Sequence, residues 1–312
     1  LDGLASAAIY FDCAVHSARL VLENIFDAAR DGAVACNYAR FEEYRRESGL
    51  FEVKVTDVVR GESFAVTARA LVDTTGPWQR TAKLRLVRGS HLVLPRLNSS
   101  DNAIAYFNAD GRIIFVIPWG AEHELSLVGT TDCDHDSGPD AVRIDPAEAR
   151  YLLEIAGRLF PNARRMHPIA AFSSLRPLVE DASSSATSTS REHKIQHTAD
   201  GVLVVSGGKY TTYRSMSEEA AETVAAGVAS ELAGKGATAE TALGGNSAEW
   251  LARAMEDAGR VAEAYGVSRT RAERFIRDYG RLYARVLEYA PAGPVEGLSP
   301  LRLAEVAFAV EH

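Results

Sequence analysis

A lysine and two threonines stand where an apolar run gives way to a segment of helical character. The run is VVSGGKYTTYR, residues 204–214, and an alanine- and glutamate-rich stretch follows it. A strand that turns into a helix at two glycines directs free backbone N–H groups and a partial positive charge at one point. Lys209 adds a full charge there, and Thr211 or Thr212 can cap the helix or bind a ligand. The segment predicts a site for an anionic or electron-rich group, with a solvated turn as the alternative.

Two arginines could complete a clamp for such a group. Arg176 directly precedes Pro177, which favours extended backbone at position 176 and lets the side chain project into a cleft. Arg191 lies further along the chain, beyond a serine- and threonine-rich run. Two guanidiniums converging with Lys209 would bind a phosphate or a carboxylate. Taken singly, each arginine is also consistent with a surface ion pair.

A histidine is the candidate for proton transfer. His91 opens an apolar run directly after Gly89 and Ser90, at a sheet edge where its side chain can face a cleft. A histidine can accept the proton of an alcohol near neutral pH. The chain has 8 histidines, so a structural role for His91 is the alternative.

A further candidate segment is LVDTTGPW, residues 71–78, in which an apolar run ends at Thr75 and Gly76. Cofactors bind at strand ends of open α/β sheets, and a glycine there permits close approach to the backbone. The alternative is a tight turn with Trp78 as part of the core.

Composition and charge exclude several classes of protein. A chain of 312 residues favours two domains, and its net charge of −8 argues against general nucleic-acid binding. The 3 cysteines form no metal-ligand pattern, so we predict no metal site and a reducing, cytoplasmic compartment. No apolar stretch is long enough to cross a bilayer. Sequence motifs of zinc peptidases, serine hydrolases, P-loop nucleotidases and thiol oxidoreductases are absent.

Periodicity predicts a mixed chain that ends in helices. A β-hairpin is expected at 51–59 and 64–73, with its second strand running into the DTTGPW segment. Four further runs, expected to form an antiparallel sheet, are 91–95, 104–108, 112–119 and 125–132, and a final strand is expected at 202–206. Helices are expected at 14–31 and 146–160. Residues 217–233 and 247–312 have a helical pattern, and a separate helical module begins near residue 235, at the glycine-, alanine- and threonine-rich stretch 234–246. The run SSSATSTS, residues 183–190, is predicted to be an exposed loop.

Eight segments in the same order resemble the FAD-dependent glycerol-3-phosphate dehydrogenases. They are YFDCAVHSARLVLENIFDAARDGA, ALVDTTGPW, VRGSHLVLPR, NADGRIIFVIPW, LVGTTD, SSLRPL, GGKYTTYR and AEVAFAVEH. The resemblance covers nearly all of the chain. The glycine-rich segment that holds the FAD pyrophosphate in this family has no counterpart here, so an incomplete FAD-binding portion is expected.

The resemblance implies the fold class and the domains. We expect an α/β (α+β) flavoprotein of the FAD/NAD(P)-binding type, with an antiparallel-sheet substrate domain and an all-helical C-terminal domain. The FAD-dependent oxidoreductase domain would span residues 1–234 and contain the substrate-binding sheet at about 84–175. The helical domain would span 235–312.

The resemblance also assigns roles to individual residues. His91 would act on the C2 hydroxyl of the substrate, with Arg176 beside the substrate and the flavin. Substrate phosphate would be held by Arg191 and Lys209, and Arg176 would also bind the substrate. The residues that would line the bound FAD are Thr75, Gly76, Gly207, Gly208, Lys209, Thr211, Thr212 and the backbone of Phe41.

The activity implied is the oxidation of sn-glycerol 3-phosphate to dihydroxyacetone phosphate by hydride transfer to FAD. The family passes the electrons to a membrane quinone, which implies peripheral contact with the inner face of the cell membrane. A homodimer is among the oligomeric states considered. The alternatives are an oxidase that delivers electrons to oxygen, a related amine or 2-hydroxy-acid oxidoreductase, and a non-catalytic binding module.

Overall fold

A computed structural model describes residues 6–13, 15–81, 83–120, 123–179, 192–234, 236–291 and 299–311. By contact, the chain forms two compact units, which are residues 37–239 and residues 1–36 together with 240–312. The domain boundary near residue 235 stays a prediction. The predicted loop at 183–190 lies outside the described residues.

The described residues form helices and strands with the following bounds. The helices are α1 Ser17–Arg30, α2 Pro146–Leu159, α3 Tyr213–Val228, α4 Ala248–Glu256, α5 Ala258–Tyr265, α6 Arg269–Tyr279, α7 Tyr283–Leu287 and α8 Pro300–Glu311. The strands are β1 Ala39–Glu47, β2 Leu50–Asp57, β3 Glu62–Ala68, β4 Val72–Asp73, β5 Leu84–Pro95, β6 Ile104–Phe107, β7 Ile113–Trp119, β8 Leu125–Gly129, β9 Cys133–Asp134, β10 Ala170–Val179, β11 His193–His197 and β12 Leu203–Gly207.

An antiparallel sheet in the order β10-β5-β8-β7-β6 is the centre of the unit 37–239, and β9 pairs with β5. Alternate apolar residues of its strands are buried on one face against α2, with Leu92, Val128 and Leu152 among the core residues. Helix α2 starts as the sequence predicts. Asp145 accepts a hydrogen bond from the backbone N–H of Ala147, and Pro146 holds the first helical position. The predicted antiparallel sheet is confirmed.

Two smaller sheets lie in the same unit. One is the antiparallel meander β1-β2-β3, and the other has the order β11-β12-β4, in which β12 and β4 run parallel. Phe51 and Val53 of β2 pack with Val202 and Val204, so the two sheets share a core. Because β4 and β12 run in the same direction, the segments that follow them leave the sheet at the same edge.

The structure corrects the hairpin prediction. The second strand does not continue into DTTGPW, because β3 ends at Ala68 and the short β4 belongs to the other sheet. Strands β1 and β11 were not predicted. Their sequences, ARFEEYRRE and HKIQH, are mostly polar and exposed, so they carry little of the apolar alternation that marks a half-buried strand.

The unit of residues 1–36 and 240–312 is helical in its described part. The five helices from α4 to α8 share one core, which includes Val261, Phe275, Ile276 and Leu301. Arg19 of α1 donates a hydrogen bond to the backbone carbonyl of Tyr279, at 3.1 Å. Among the described helices, none combines the length and the apolar character needed to cross a bilayer.

Candidate functional site

His91 and Arg176 lie on one face of the large sheet, opposite the face that packs on α2. His91 of β5 is directly paired with Phe172 of β10 and with Gly129 of β8. Arg176 is four residues beyond Phe172 on the same strand, and side chains alternate between faces, so both point to the same side. The structure therefore brings together two of the predicted site residues.

The His91 imidazole is held in a partly buried position. Its ring stacks on Phe172 with the ring centroids 5.1 Å apart and the planes 14° from parallel. Burial, and secondly the positive charge of Arg176, lower the pKa of His91 below its usual value. Within the described residues, the buried Nδ1 atom has no hydrogen-bond partner. The imidazole is therefore neutral at neutral pH and able to accept a proton.

The side chain of Arg176 is held by the three residues that directly follow β8. Its Nη1 donates to a carboxylate oxygen of Asp132 at 2.8 Å and to the carbonyl of Thr131 at 3.3 Å. Its Nη2 donates to the hydroxyl of Thr130 at 3.0 Å. These partners belong to the LVGTTD segment, but no local sequence pattern connects them to Arg176. The guanidinium has a defined orientation and a partly balanced charge.

A buried carboxylate connects the strand that carries His91 to the segment after β8 that holds Arg176. Glu148 of α2, 5% exposed, accepts hydrogen bonds from Thr131 at 2.6 Å and from Ser90 at 3.0 Å. Arg88 donates to its other oxygen at 2.8 Å. Burial would raise the pKa of Glu148, but the bonds from Thr131, the Asp145 backbone and Ser90, with the charge of Arg88, lower it overall. The sequence identified Glu148 only as a helix-capping acid.

We expect Glu148→Gln to lower the free energy of unfolding by about 3 kcal/mol, because it leaves the partly buried Arg88 without a counter-charge. Since the folded-state pKa of Glu148 is lowered, its contribution is present above the ordinary value of 4.5 and is lost as the pH falls. Urea unfolding at pH 7 and pH 4 measures this, with Glu154→Gln, an exposed acid on the same helix, as control. Equal stability losses for the two variants at pH 7 would contradict the assignment.

Gly207 is the last residue of β12, and Gly208 and Lys209 follow it at the carboxyl end of that strand, in the β11-β12-β4 sheet. Both glycines have positive φ, +71° and +87°, which is the conformation that glycine adopts without strain. Lys209 is exposed. The hydroxyl of Thr212 donates to the carbonyl of Lys209 at 3.0 Å, and α3 begins at the next residue. The predicted turn from a strand to a helix is confirmed.

Thr75 and Gly76 follow β4 at the same edge, because β4 and β12 are parallel. The carboxylate of Asp73 accepts hydrogen bonds from the backbone N–H and the hydroxyl of Thr75, at 3.0 and 2.6 Å. A Cβ atom added to Gly76 would meet nothing within 4 Å, so this glycine faces open space. The two predicted cofactor segments are therefore neighbours.

The end of β10 connects this edge to the large sheet. A Cβ atom at Gly207 would lie 3.2 Å from Cγ2 of Val179, the third residue after Arg176. Thr211 is exposed in the turn after Lys209. Phe41 lies on β1, 49% exposed, and its nearest described aromatic contact is Tyr44. The role of the Phe41 backbone stays a prediction, and Arg191 lies outside the described residues.

No cluster of three or more histidine, cysteine or carboxylate side chains suited to a metal ion occurs in the described part of the chain. The candidate site consists of a neutral histidine, an oriented arginine and a turn of two glycines and a lysine at the end of β12.

Comparison with known proteins gives related sequences and structures. Residues 1–214 match the family model described as FAD dependent oxidoreductase. The aerobic glycerol-3-phosphate dehydrogenase of Escherichia coli is 37% identical over 229 residues, which are 68% of this chain and 45% of that protein. The D-erythritol 1-phosphate dehydrogenase of Brucella abortus is 33% identical over 233 residues, 70% of this chain and 46% of that protein. The chain spans about half the length of these relatives.

A solved structure agrees in fold. The crystal structure of the glycerol-3-phosphate dehydrogenase from Bacillus halodurans complexed with FAD matches with a TM-score of 0.78 and 27% identity. The match covers 94% of this chain and 60% of that one. The expected flavoprotein fold, with its antiparallel sheet and C-terminal helices, is confirmed. The family model matches more than half of the residues of this chain. The chain therefore belongs to the FAD-dependent oxidoreductase family.

Proposed function

We propose that the chain takes part in the FAD-dependent oxidation of sn-glycerol 3-phosphate to dihydroxyacetone phosphate. The main support is the neutral His91 beside the oriented cation Arg176 on one sheet face. Similarity to proteins named glycerol-3-phosphate dehydrogenases gives the substrate class. In this reaction the C2–H and O–H bonds of the alcohol break and a C2 carbonyl forms.

The residues at the carboxyl ends of β4 and β12 fit the cofactor. Gly76 faces open space, and Gly207 and Gly208 supply the positive-φ backbone of the turn that leads to Lys209. We assign the binding of FAD to these three glycines together with Thr75, Lys209, Thr211, Thr212 and the backbone of Phe41. Bound FAD supplies the acceptor for the hydride. Lys209 and the start of α3 stabilise negative charge at that edge.

The other residues bind and orient the alcohol. His91 accepts the proton of the C2 hydroxyl, which a neutral imidazole can do directly. Arg176 donates hydrogen bonds to the same oxygen and keeps the substrate in place. The phosphate is bound by Arg191 and Lys209. Asp132 keeps the Arg176 guanidinium in one orientation, because it accepts a short, charge-assisted hydrogen bond.

A second substrate is favoured by one relative. The similarity to a D-erythritol 1-phosphate dehydrogenase extends over the same share of the chain, so a longer polyol phosphate is the competing candidate. Both substrates carry a phosphate and a secondary alcohol, and the same His91 and Arg176 would serve either.

We expect the full-length protein to be purified with bound FAD and to be bleached at 450 nm by sn-glycerol 3-phosphate under anaerobic conditions. The rate with D-erythritol 1-phosphate should be at least about tenfold lower, since a pocket for three carbons accommodates an extra hydroxymethyl group poorly. Stopped-flow absorbance measures both rates. Faster bleaching by the erythritol ester would reverse the substrate assignment, and a protein that binds no FAD would favour a non-catalytic module.

The electron acceptor in this proposal is a quinone. A quinone dissolved in the bilayer implies peripheral contact with the inner face of the cell membrane, and a homodimer is the proposed assembly. In the same assay, a soluble quinone analogue should restore the 450 nm absorbance faster than air-saturated buffer. Stoichiometric peroxide without added quinone would instead identify an oxidase.

A further inference from the structure

We propose that Gly89 and Gly129 are positioning residues, which reserve the space in which the Arg176 guanidinium and the His91 imidazole lie. The inference rests on the proposed function for its catalytic meaning. Its geometric content stands on the structure alone. Both glycines are buried, both lie on strands of the large sheet or at their ends, and both belong to the face that carries the candidate site.

Gly129 borders the imidazole. A Cβ atom added at this position would lie 2.3 Å from Cδ2 of His91 and 2.9 Å from its Nε2. Both distances are far inside van der Waals contact, so any side chain at position 129 would displace the ring. The ring has no free direction on its other side, because Phe172 stacks on it. A displaced imidazole must therefore leave the sheet face.

Gly89 borders the guanidinium in the same way. A Cβ atom there would lie 2.5 Å from Nη2 of Arg176, 2.6 Å from Nη1 and 2.7 Å from Cζ. Arg176 is not a freely moving surface arm, because Asp132 and Thr130 hold both of its terminal nitrogens. A methyl group at position 89 would break these hydrogen bonds.

Backbone conformation does not explain the two glycines. Neither has a φ in the left-handed region, so alanine could adopt both conformations. Gly138 and Gly227 share this property, but a Cβ atom at either position would meet nothing within 4 Å. The occupied space above Gly89 and Gly129 distinguishes them from these two glycines, and in both cases the occupant is a candidate site residue.

The test compares Gly129→Ala and Gly89→Ala with the matched controls Gly138→Ala and Gly227→Ala in the full-length, FAD-loaded protein. We expect Gly129→Ala to lower kcat at least tenfold with KM changed less than threefold, because His91 acts on the bound alcohol. Gly89→Ala should lower kcat/KM at least tenfold, and the controls should stay within twofold of wild type. Both glycine variants at wild-type kcat and KM would overturn the proposal.

Two measurements are independent of activity. The pKa of His91, followed by NMR of its imidazole, should rise toward the ordinary histidine value in Gly129→Ala as the ring enters solvent. In a double-mutant cycle, Gly129→Ala should lower the Tm of wild type but not that of His91→Ala, where the space is empty. Gly89→Ala should behave likewise with Arg176→Ala.

These measurements keep the two proposals separable, and they apply if Gly129→Ala alone folds poorly. Equal Tm losses in both backgrounds, with an unchanged His91 titration, would overturn the positioning role. A wild-type protein without turnover of sn-glycerol 3-phosphate would overturn the proposed function, while the cycle would still decide whether the glycines seat His91 and Arg176.

Discussion

Arg176→Ala should lower kcat/KM for sn-glycerol 3-phosphate by about 10²- to 10³-fold, the effect typical of removing an oriented donor beside a reacting oxygen. The guanidinium is already oriented by Asp132 and Thr130, so it needs little reorganisation when the substrate binds. Water that fills the vacated space would lack both the charge and the orientation. Steady-state kinetics of the FAD-loaded protein measure the loss.

Arg85→Ala is the matched control for this variant. Arg85 also lies on the large sheet and pairs with an aspartate, Asp134, and its side chain is 26% exposed, the same fraction as that of Arg176. Its loss should change kcat/KM by less than threefold. Similar losses for both variants would indicate a general effect of removing a sheet-bound ion pair and would contradict a role at the site.

A second variant separates chemistry from folding. Arg176→Ala leaves the Asp132 carboxylate, 12% exposed, without its cation, which by itself destabilises the fold. Combining Arg176→Ala with Asp132→Asn also removes the negative charge that pairs with Arg176. We expect the double variant to regain stability in urea unfolding and to remain as inactive as Arg176→Ala. Recovery of activity together with stability would show that Arg176 acts only through the fold.

The sequence predicts the elements whose stabilisation is local. The capping box of α2 is encoded by Asp145, Pro146 and Glu148 within four positions, and the structure has it in place. The residue before a proline is restricted to extended backbone, and the extended backbone predicted at Arg176 is confirmed, although the strand β10 itself is not predicted. Apolar alternation likewise finds the strands of the large sheet, because one of their faces is buried.

The partners of the site residues could not be predicted in this way. Arg176 pairs with Asp132, 44 residues earlier in the chain, and Arg88 pairs with Glu148, 60 residues later. Such contacts depend on which strands become neighbours, and local spacing does not encode that. In the sequence, Glu148 is already accounted for as the capping acid of α2, so nothing there indicates a second role. Only the fold shows that the same carboxylate accepts bonds from Ser90 and Thr131.

The two glycines next to His91 and Arg176 could not be identified from the sequence either. Gly89 stands next to the serine and histidine of the G-S-H run, but the sequence does not show that a guanidinium occupies the space above it. Gly129 lies in a different strand, and its relation to His91 exists only through the pairing of β5 with β8. The spatial requirement for a missing side chain is a property of the folded sheet.

His91→Asn should lower kcat by about 10²- to 10⁴-fold, the range for losing a positioned proton acceptor. Asparagine keeps a polar group of similar size but cannot take up the proton of the alcohol. His123→Asn is the control, because His123 is 48% exposed and pairs with the exposed Asp101. Its kinetics should stay within twofold of wild type.

The pH dependence gives the sharper test of the same assignment. Because burial and the charge of Arg176 lower the pKa of His91, the acceptor stays unprotonated through the neutral range. The kcat/KM of wild type should therefore be constant around pH 7 and fall only below the ordinary histidine value of 6.5. In Arg176→Met one of the two causes is gone, so the NMR titration of the imidazole should move to higher pH. If the midpoint stays in place, the guanidinium does not act on His91, and the two residues do not form one site.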